Sequence, residues 1–484
     1  MNDEIKIGLD FGTHQTKICV RRTPDEGRGE SNYEFFKFTN LQGIEEYFLP
    51  SVIQINDDDT LSYGYVDSAR MKPEPDEPVK QSVLLEEEFD AVEKAIQLYD
   101  KYATDKNSPE DMNILSEMLK IRLQKIKVRN ARKNEEAEKE YDKLLYDYKN
   151  AKNVFRYFKQ ATFIGGEWNR ITIISNRTLC VWYLAYVIFL LEEKFGTDFS
   201  INMGIPADEE TYEVKKRLAV EILAAAYHLV ENVYNNDFSS FLNEKYQVLL
   251  SKTENMRYSK ELKEEYVINI FPEAYASLSA LTSRGKLPTG MSLTADIGGG
   301  TTDISFFTIE DGLPMIYKYW SIPRGLNYVA ARSGFDYSEG DFTSRVQQDV
   351  IDKFNRKKHE IVSNLVRDLT RKIKDETSIP VQNLKDALKD RILVYSGGGS
   401  TFDFLTKPID TFTDIRIINA SIWKEENIKE KSAVSQLSLL LTTAYGLSVN
   451  VSDEDVKLKS YMSLFEHLPK KQETTIEEIS KDQC

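Results

Sequence analysis

The chain has 484 residues, 41% of them hydrophobic and 29% charged, with a net charge of −15. These values suit about two to four folded domains, and they exclude a disordered chain and a general nucleic-acid binder, which needs a basic footprint. No signal peptide or membrane span is expected, since the longest apolar run, Cys180–Leu191, falls short of the ~20 residues that cross a bilayer, and three scattered cysteines (Cys19, Cys180, Cys484) point to a reducing cytoplasm.

In chain order, Ile5, Ile7 and Leu9 alternate as in a strand, and Ile18–Val20 begins another. The two predict a hairpin with Asp10-Phe11-Gly12-Thr13-His14-Gln15-Thr16-Lys17 between them. Further strands are expected at 34–38, 51–55 and 61–65, with Asp57-Asp58-Asp59 as a solvated turn. The Pro-rich stretch 72–78 breaks the pattern. Ser108-Pro109-Glu110-Asp111 is a helix start: a hydroxyl cap, Pro at the first position, acid in the first turn.

Neither Gly nor Pro occurs from Glu110 to Ile164. Ile114, Met118 and Ile121, and later Tyr141, Leu145, Tyr148, Phe155 and Phe158, fall at helical steps. A long helix or helical hairpin is expected as an insertion over about 80–165, either a solvated arm or a partner-docking surface. Cys180–Leu191 reads as a buried helix, 200–204 as a strand closed by Pro206, and 215–229 as a helix. A strand at 266–270 leads through Pro272-Glu273 into a small-residue helix, 274–281.

The second glycine-rich segment, Asp296-Ile297-Gly298-Gly299-Gly300-Thr301-Thr302-Asp303, joins an apolar strand to the strand 304–309. The third is Ser396-Gly397-Gly398-Gly399-Ser400, after the strand 392–394. Helices are expected over 342–376 and 433–447, and then a polar tail.

The first two segments share one design: an apolar strand ending in Asp, a glycine turn, threonines, then a second strand. Glycine lets the backbone approach a polyanion, with N–H groups aimed at its oxygens. An Asp at a strand end suits Mg²⁺, usually through waters. Two such loops facing each other would clamp a triphosphate and its metal. No Walker-type motif occurs.

On these residues the sequence resembles the actin / sugar kinase / heat-shock chaperone ATPase superfamily. Asp10-Phe11-Gly12-Thr13 is similar to its first phosphate loop and Asp296–Asp303 to its second. Ser396–Ser400 resembles its adenosine motif, and Phe271-Pro272-Glu273-Ala274 its connecting segment. Thr443-Ala444-Tyr445-Gly446 resembles the helix that returns to the first lobe. The resemblance implies a two-lobed α/β fold, each lobe a ribonuclease-H-like mixed sheet flanked by helices. The lobes would be 1–286, with the insertion, and 287–432, with a helical subdomain at about 326–390. Residues 433–450 would form the returning helix and 451–484 the tail.

It also implies roles. Asp10 and Asp296 would hold the Mg²⁺ water shell, and Glu273 would orient or activate water. Gly12, Thr13, His14, Gly298, Gly299, Gly300, Thr301 and Thr302 would contact phosphates, with Asp303 in support. Gly397, Gly398, Gly399 and Ser400 would pack on adenosine.

The chain departs from DnaK-type chaperones in two places. Their catalytic lysine follows a short Gly-x-x-Ala stretch, whereas here Gly64-Tyr65-Val66-Asp67-Ser68-Ala69-Arg70 has extra residues and ends in Arg. Lys17 matches the phosphate lysine of actin and of plasmid-partition filaments, or is an exposed lysine on a strand. The tail Asn450–Cys484 is too short for a peptide-binding domain; its Leu458, Tyr461, Phe465 and Leu468 form a helical stripe that would dock elsewhere or pack back.

The expected function is a slow, Mg²⁺-dependent, chaperone-like ATPase that switches conformation between ATP and ADP and controls a protein client through the insertion or tail. The alternatives are a self-assembling actin-like filament, a small-molecule kinase and a non-catalytic nucleotide sensor.

Overall fold

Strands that alternate apolar and polar residues must bury one face, and hairpins are the shortest way to pair them. In the computed structural model the strands of three or more residues, in chain order, are β1 (Glu4–Phe11), β2 (Gln15–Thr23), β3 (Asn32–Phe35), β4 (Val52–Ile55), β5 (Leu61–Tyr63), β6 (Val154–Arg156), β7 (Ser200–Ile205), β8 (Ile268–Pro272), β9 (Ser292–Ile297), β10 (Thr302–Glu310), β11 (Leu313–Ile322), β12 (Ile392–Ser396) and β13 (Asp414–Ile417). The helices that bear on the site are α1 (Phe158–Phe163), α2 (Asn176–Phe195), α3 (Tyr212–His228), α4 (Glu273–Thr282), α5 (Leu326–Arg332), α6 (Gln348–Glu376) and α7 (Ser438–Val449). The structure describes residues 4–24, 30–72, 92–98, 115, 117–133, 136–137, 153–165, 174–254, 266–282, 287, 290–310, 313–335, 342–389, 391–418 and 428–449. The helix start at 108–111, Ile114, Tyr141, Leu145, Tyr148 and the tail stripe lie outside them.

The protein is a mixed α/β structure with two mixed sheets of the same design. The first runs β3-β2-β1-β7-β8 and the second β11-β10-β9-β12-β13. In each, an antiparallel three-strand meander is extended by two strands parallel to its first strand. The duplication visible in the loops therefore extends to whole sheets.

Alternation decides which way the acids point. On β1, Ile7, Leu9 and Phe11 enter one core with the buried helix α2, so Asp10 faces the opposite side. On β9, Leu293, Ala295 and Ile297 enter a second core, formed with α5 and α6, so Asp296 also faces the opposite side. Helices α7 and α4 fill the space there. Helix α7 packs on β1, β2 and α4, while α4 packs on β9, β10 and β11. The contact between α7 and α4 is tight: a Cβ at Gly446 would stand 1.8 Å from the Ala276 carbonyl oxygen.

Helix α2 is buried on nearly every side, its start capped by Ser175, whose hydroxyl accepts from the Thr178 N–H at 3.0 Å. Gly196, at φ 75°, ends it. Cys19 and Cys180 are buried, and burial pushes both thiols up to about 12. Among the described residues no helix is long and apolar enough to cross a membrane.

The chain divides into two units. One comprises Met1–Met71, Val154–Asn169 and Ile174–Cys484; the other comprises Lys72–Asn153 and Arg170–Ile173. Both sheets belong to the first unit. The second unit overlaps the expected insertion at 80–165 and includes 170–173, whereas 154–165 belong to the first unit. Residues 154–163 instead form β6, which pairs with β4, and α1. Within the second unit, residues 117–133 are helical. Leu119, Leu123, Ile126 and Asn130 make its inward face, whereas Met118 and Ile121 are exposed. The inward row, Leu119, Leu123 and Ile126, therefore differs from the expected one through Met118 and Ile121.

Strands β11 and β13 are additions to the expected elements. Pro314 lies near the start of β11, at the edge of its sheet, where a missing N–H is tolerated. The helix expected at 433–447 is two pieces, Lys431–Gln436 and α7.

Candidate functional site

Both Asp-tipped hairpins open into one cleft of about 330 Å³. It is lined by Asp10, Gly12, Thr13, His14 and Lys17 from the first hairpin and by Asp296, Gly298, Gly299, Gly300, Thr301 and Asp303 from the second. Glu273, Gly397 and Gly398 complete the expected set. Thr302, Gly399 and Ser400 do not line it but hold its loops. The Thr302 hydroxyl donates to the Arg324 carbonyl at 2.7 Å, and the Ser400 N–H donates to the Gly397 carbonyl at 3.0 Å.

The hairpins place matching residues in matching registers. Asp10 pairs across the strands with Lys17, and Asp296 with Asp303. The first pair is an ion pair, Lys17 Nζ to Asp10 Oδ2 at 2.8 Å. The second pair is two carboxyls, which repel if both ionise. Asp296 is held by hydroxyls of the two middle helices: Ser277 donates to its Oδ2 at 2.7 Å and Thr443 at 3.3 Å. Asp303 accepts from the Thr301 hydroxyl at 2.9 Å. Gly397, at φ +79°, passes so close that a Cβ there would lie 2.3 Å from Asp296 Oδ1.

Glu273 is the first residue of α4, immediately after β8. Its Oε1 accepts from the ammonium of Lys159. Lys159 was not anticipated from sequence. It is almost fully buried on α1, its ammonium 5.6 Å from the centre of the Phe11 ring, and Phe11 in turn stacks on Tyr183. Phe-Lys-Gln-Ala sits at the end of a charged, helical stretch, so its lysine looked like one surface charge among many. The aromatic-rich Val154-Phe155-Arg156-Tyr157-Phe158 ahead of it is the one local cue. Arg70 lies outside the cleft: it pairs with Asp58 at 3.1 Å and lines a different cavity.

Burial raises the carboxyls of Glu273, Asp296 and Asp303 above the usual range. Neighbouring acids add to it: Asp10 raises Glu273 and Asp296, and Glu273 raises Asp303. Lys159 and Lys17 work in the opposite direction, on Glu273 and Asp296 respectively. Four acids thus face Lys17, Lys159 and Arg156 across the cleft. A cation brought with a polyphosphate would offset these acids.

Among the described residues no three His, Cys, Asp or Glu side chains form a metal cage of their own. Asp10 and Asp296 still fit Mg²⁺, which keeps its waters and needs one or two carboxylates beside substrate phosphates. Leu439 and Leu440 add an apolar wall beside Gly397 and Gly398, with Leu440 3.2 Å from a Cβ built at Gly398. One side of the cleft can therefore take a flat apolar group, while the glycine loops offer N–H groups to anions.

Comparison with models of known protein families and with curated proteins found no match to this chain. The chemistry of the cleft therefore rests on its own residues.

Proposed function

We propose that this chain is a Mg²⁺-dependent ATPase with a two-lobed fold of the actin, sugar-kinase and heat-shock-chaperone type, working as a nucleotide-driven conformational switch on a protein partner. The observation that carries this reading is the meeting of the Asp10 and Asp296 hairpins, tips of two like-ordered sheets, in one cleft. The N–H groups of Gly12–His14 and Gly299–Thr301 bind phosphate oxygens, while the Gly298 N–H closes the second turn on the Thr301 carbonyl at 2.9 Å, and Gly397, Gly398, Leu439 and Leu440 take the adenine end. Asp10 and Asp296 would hold Mg²⁺ through water, and the ion would supply charge neutralisation for the phosphates. Lys17 and Lys159 supply positive charge from the protein. Glu273 orients the attacking water and accepts its proton, with Lys159 fixing the carboxylate. The helical second unit offers a surface for a partner.

The test is phosphate release with Mg²⁺-ATP. Asp10→Ala or Asp296→Ala is expected to abolish release. Glu273→Ala should lower kcat about 10²-fold or more while nucleotide affinity is kept. Full turnover by Asp296→Ala overturns the assignment.

The Lys17–Asp10 pair keeps a filament-forming ATPase as a second reading. Sedimentation with ATP in the same tube separates the two: phosphate release without pelleting favours the switch, and ATP-dependent pelleting favours the filament.

A further inference from the structure

The two glycine loops touch each other. A Cβ at Gly299 would stand 2.0 Å from His14 Cδ2, and one at Gly300 would stand 2.6 Å from Thr13 Oγ1 and 2.8 Å from Gln160 Oε1. Glycine is needed there because side chains of the first loop and of α1 press on the second loop.

A chain of hydrogen bonds crosses this contact. Gln160 Nε2 donates to the Gly300 carbonyl at 3.2 Å. Asn327 Nδ2 donates to Gln160 Oε1 at 3.2 Å. His14 Nε2 bonds Asn327 Oδ1. The direction of the whole chain follows from its end: a carbonyl can only accept. Gln160 must therefore present its NH₂ to Gly300 and its oxygen to Asn327. Asn327 must in turn present its oxygen to His14, so His14 donates from Nε2. Gln160 and Asn327 are 1% and 4% exposed, so a missing partner is costly here. Asn327 is also tied to the second loop by its backbone, its N–H donating to the Gly299 carbonyl at 2.8 Å.

We propose that His14, Asn327 and Gln160 form a clasp that sets the spacing between the two phosphate loops, so that the cleft discriminates a nucleoside triphosphate from a diphosphate. The proposal rests on the nucleotide reading above. A phosphate lying between both loops gains from both sets of N–H groups only if their spacing is fixed. A shorter phosphate chain, served by one loop, does not need that spacing. The three residues are positioning residues; the phosphate is read by the backbone they align.

The experiment is calorimetric titration of Mg²⁺-ATP and Mg²⁺-ADP, under conditions of negligible turnover, into the wild type, His14→Ala, Gln160→Leu, the double variant and His14→Gln. Melting curves check the fold of each. His14→Ala and Gln160→Leu are each expected to weaken Mg²⁺-ATP about tenfold and Mg²⁺-ADP less than about twofold. The double variant should be no worse than the weaker single variant, because both break one chain. His14→Gln, which can still donate an N–H, should restore most of the ATP affinity. Equal losses for the two nucleotides, additive losses, or no rescue by glutamine overturn the clasp. Binding that no variant changes overturns the clasp alone. Binding of neither nucleotide by the wild type overturns the nucleotide reading and the clasp with it.

Discussion

At Asp303 the second hairpin holds a carboxyl opposite Asp296, where the first hairpin holds Lys17 opposite Asp10. That one exchange, lysine for aspartate at the same register, leaves the second hairpin short of positive charge. Burial, and then Glu273, push the Asp303 carboxyl well above its ordinary range. A carboxyl raised on folding binds its proton more tightly in the folded chain. Its stabilising share is complete below the ordinary Asp value near 4 and is lost as pH rises through the raised folded value. The ligand-free protein should therefore melt lower at neutral pH than at mildly acidic pH, and Asp303→Asn should flatten that slope. Thermal melts across the range check this, and identical slopes for variant and wild type refute it. Glu273 and Asp296 are raised too, so the three titrate together and part of the slope remains in the variant.

At the scale of elements, α4 and α7 hold the two sheets to each other. Gly446 allows it, since a Cβ there would meet the Ala276 carbonyl oxygen at 1.8 Å, a backbone atom that cannot swing away. Gly446→Ala is expected to cost about 3 kcal/mol. Gly398→Ala is the contrast. Its nearest neighbour is Leu440 Cδ2 at 3.2 Å, the far end of a flexible side chain, and it should cost well under half as much. Urea midpoints at constant m measure both. The same helices carry Ser277 and Thr443 to Asp296, so loosening their contact should also weaken the cleft.

Element by element, legibility followed periodicity. Helix α2 and the two hairpins announced themselves through long apolar or alternating runs. Strand β13, Asp-Ile-Arg-Ile, sits at a sheet edge with mostly exposed side chains and has no such pattern. Phe155 and Phe158 fit a helical step, so by periodicity residues 154–163 read as part of the insertion. The structure makes the first part of a strand and the second part of the helix bearing Lys159.

On the scale of the whole molecule, the proposed switch requires the two sheets to respond to nucleotide together. Mg²⁺-ATP at about 100 times its Kd should add about 2.7 kcal/mol to the stability of the unit holding both sheets. EDTA should remove most of that gain and return the pH slope to its ligand-free form, because a cation beside Asp296 favours its charged form. Calorimetric melts with ATP, with and without EDTA, check this; an ATP shift indifferent to EDTA would argue against the metal's part.

What the chain's own order of residues determined is the pair of strand–Asp–Gly–Thr hairpins, the glycine turn at 397–399 and Glu273 after Pro272. Each is local, written within about ten contiguous residues whose backbone needs are visible in their types. What only the tertiary structure decided is which distant groups complete the cleft: Lys159 on Glu273, Ser277 and Thr443 on Asp296, and Asn327 with Gln160 bridging the loops. Those partners come from segments with no motif of their own. Their roles arise because two sheets, each burying its apolar face on its own core, are left with their Asp-bearing faces directed at the same two helices.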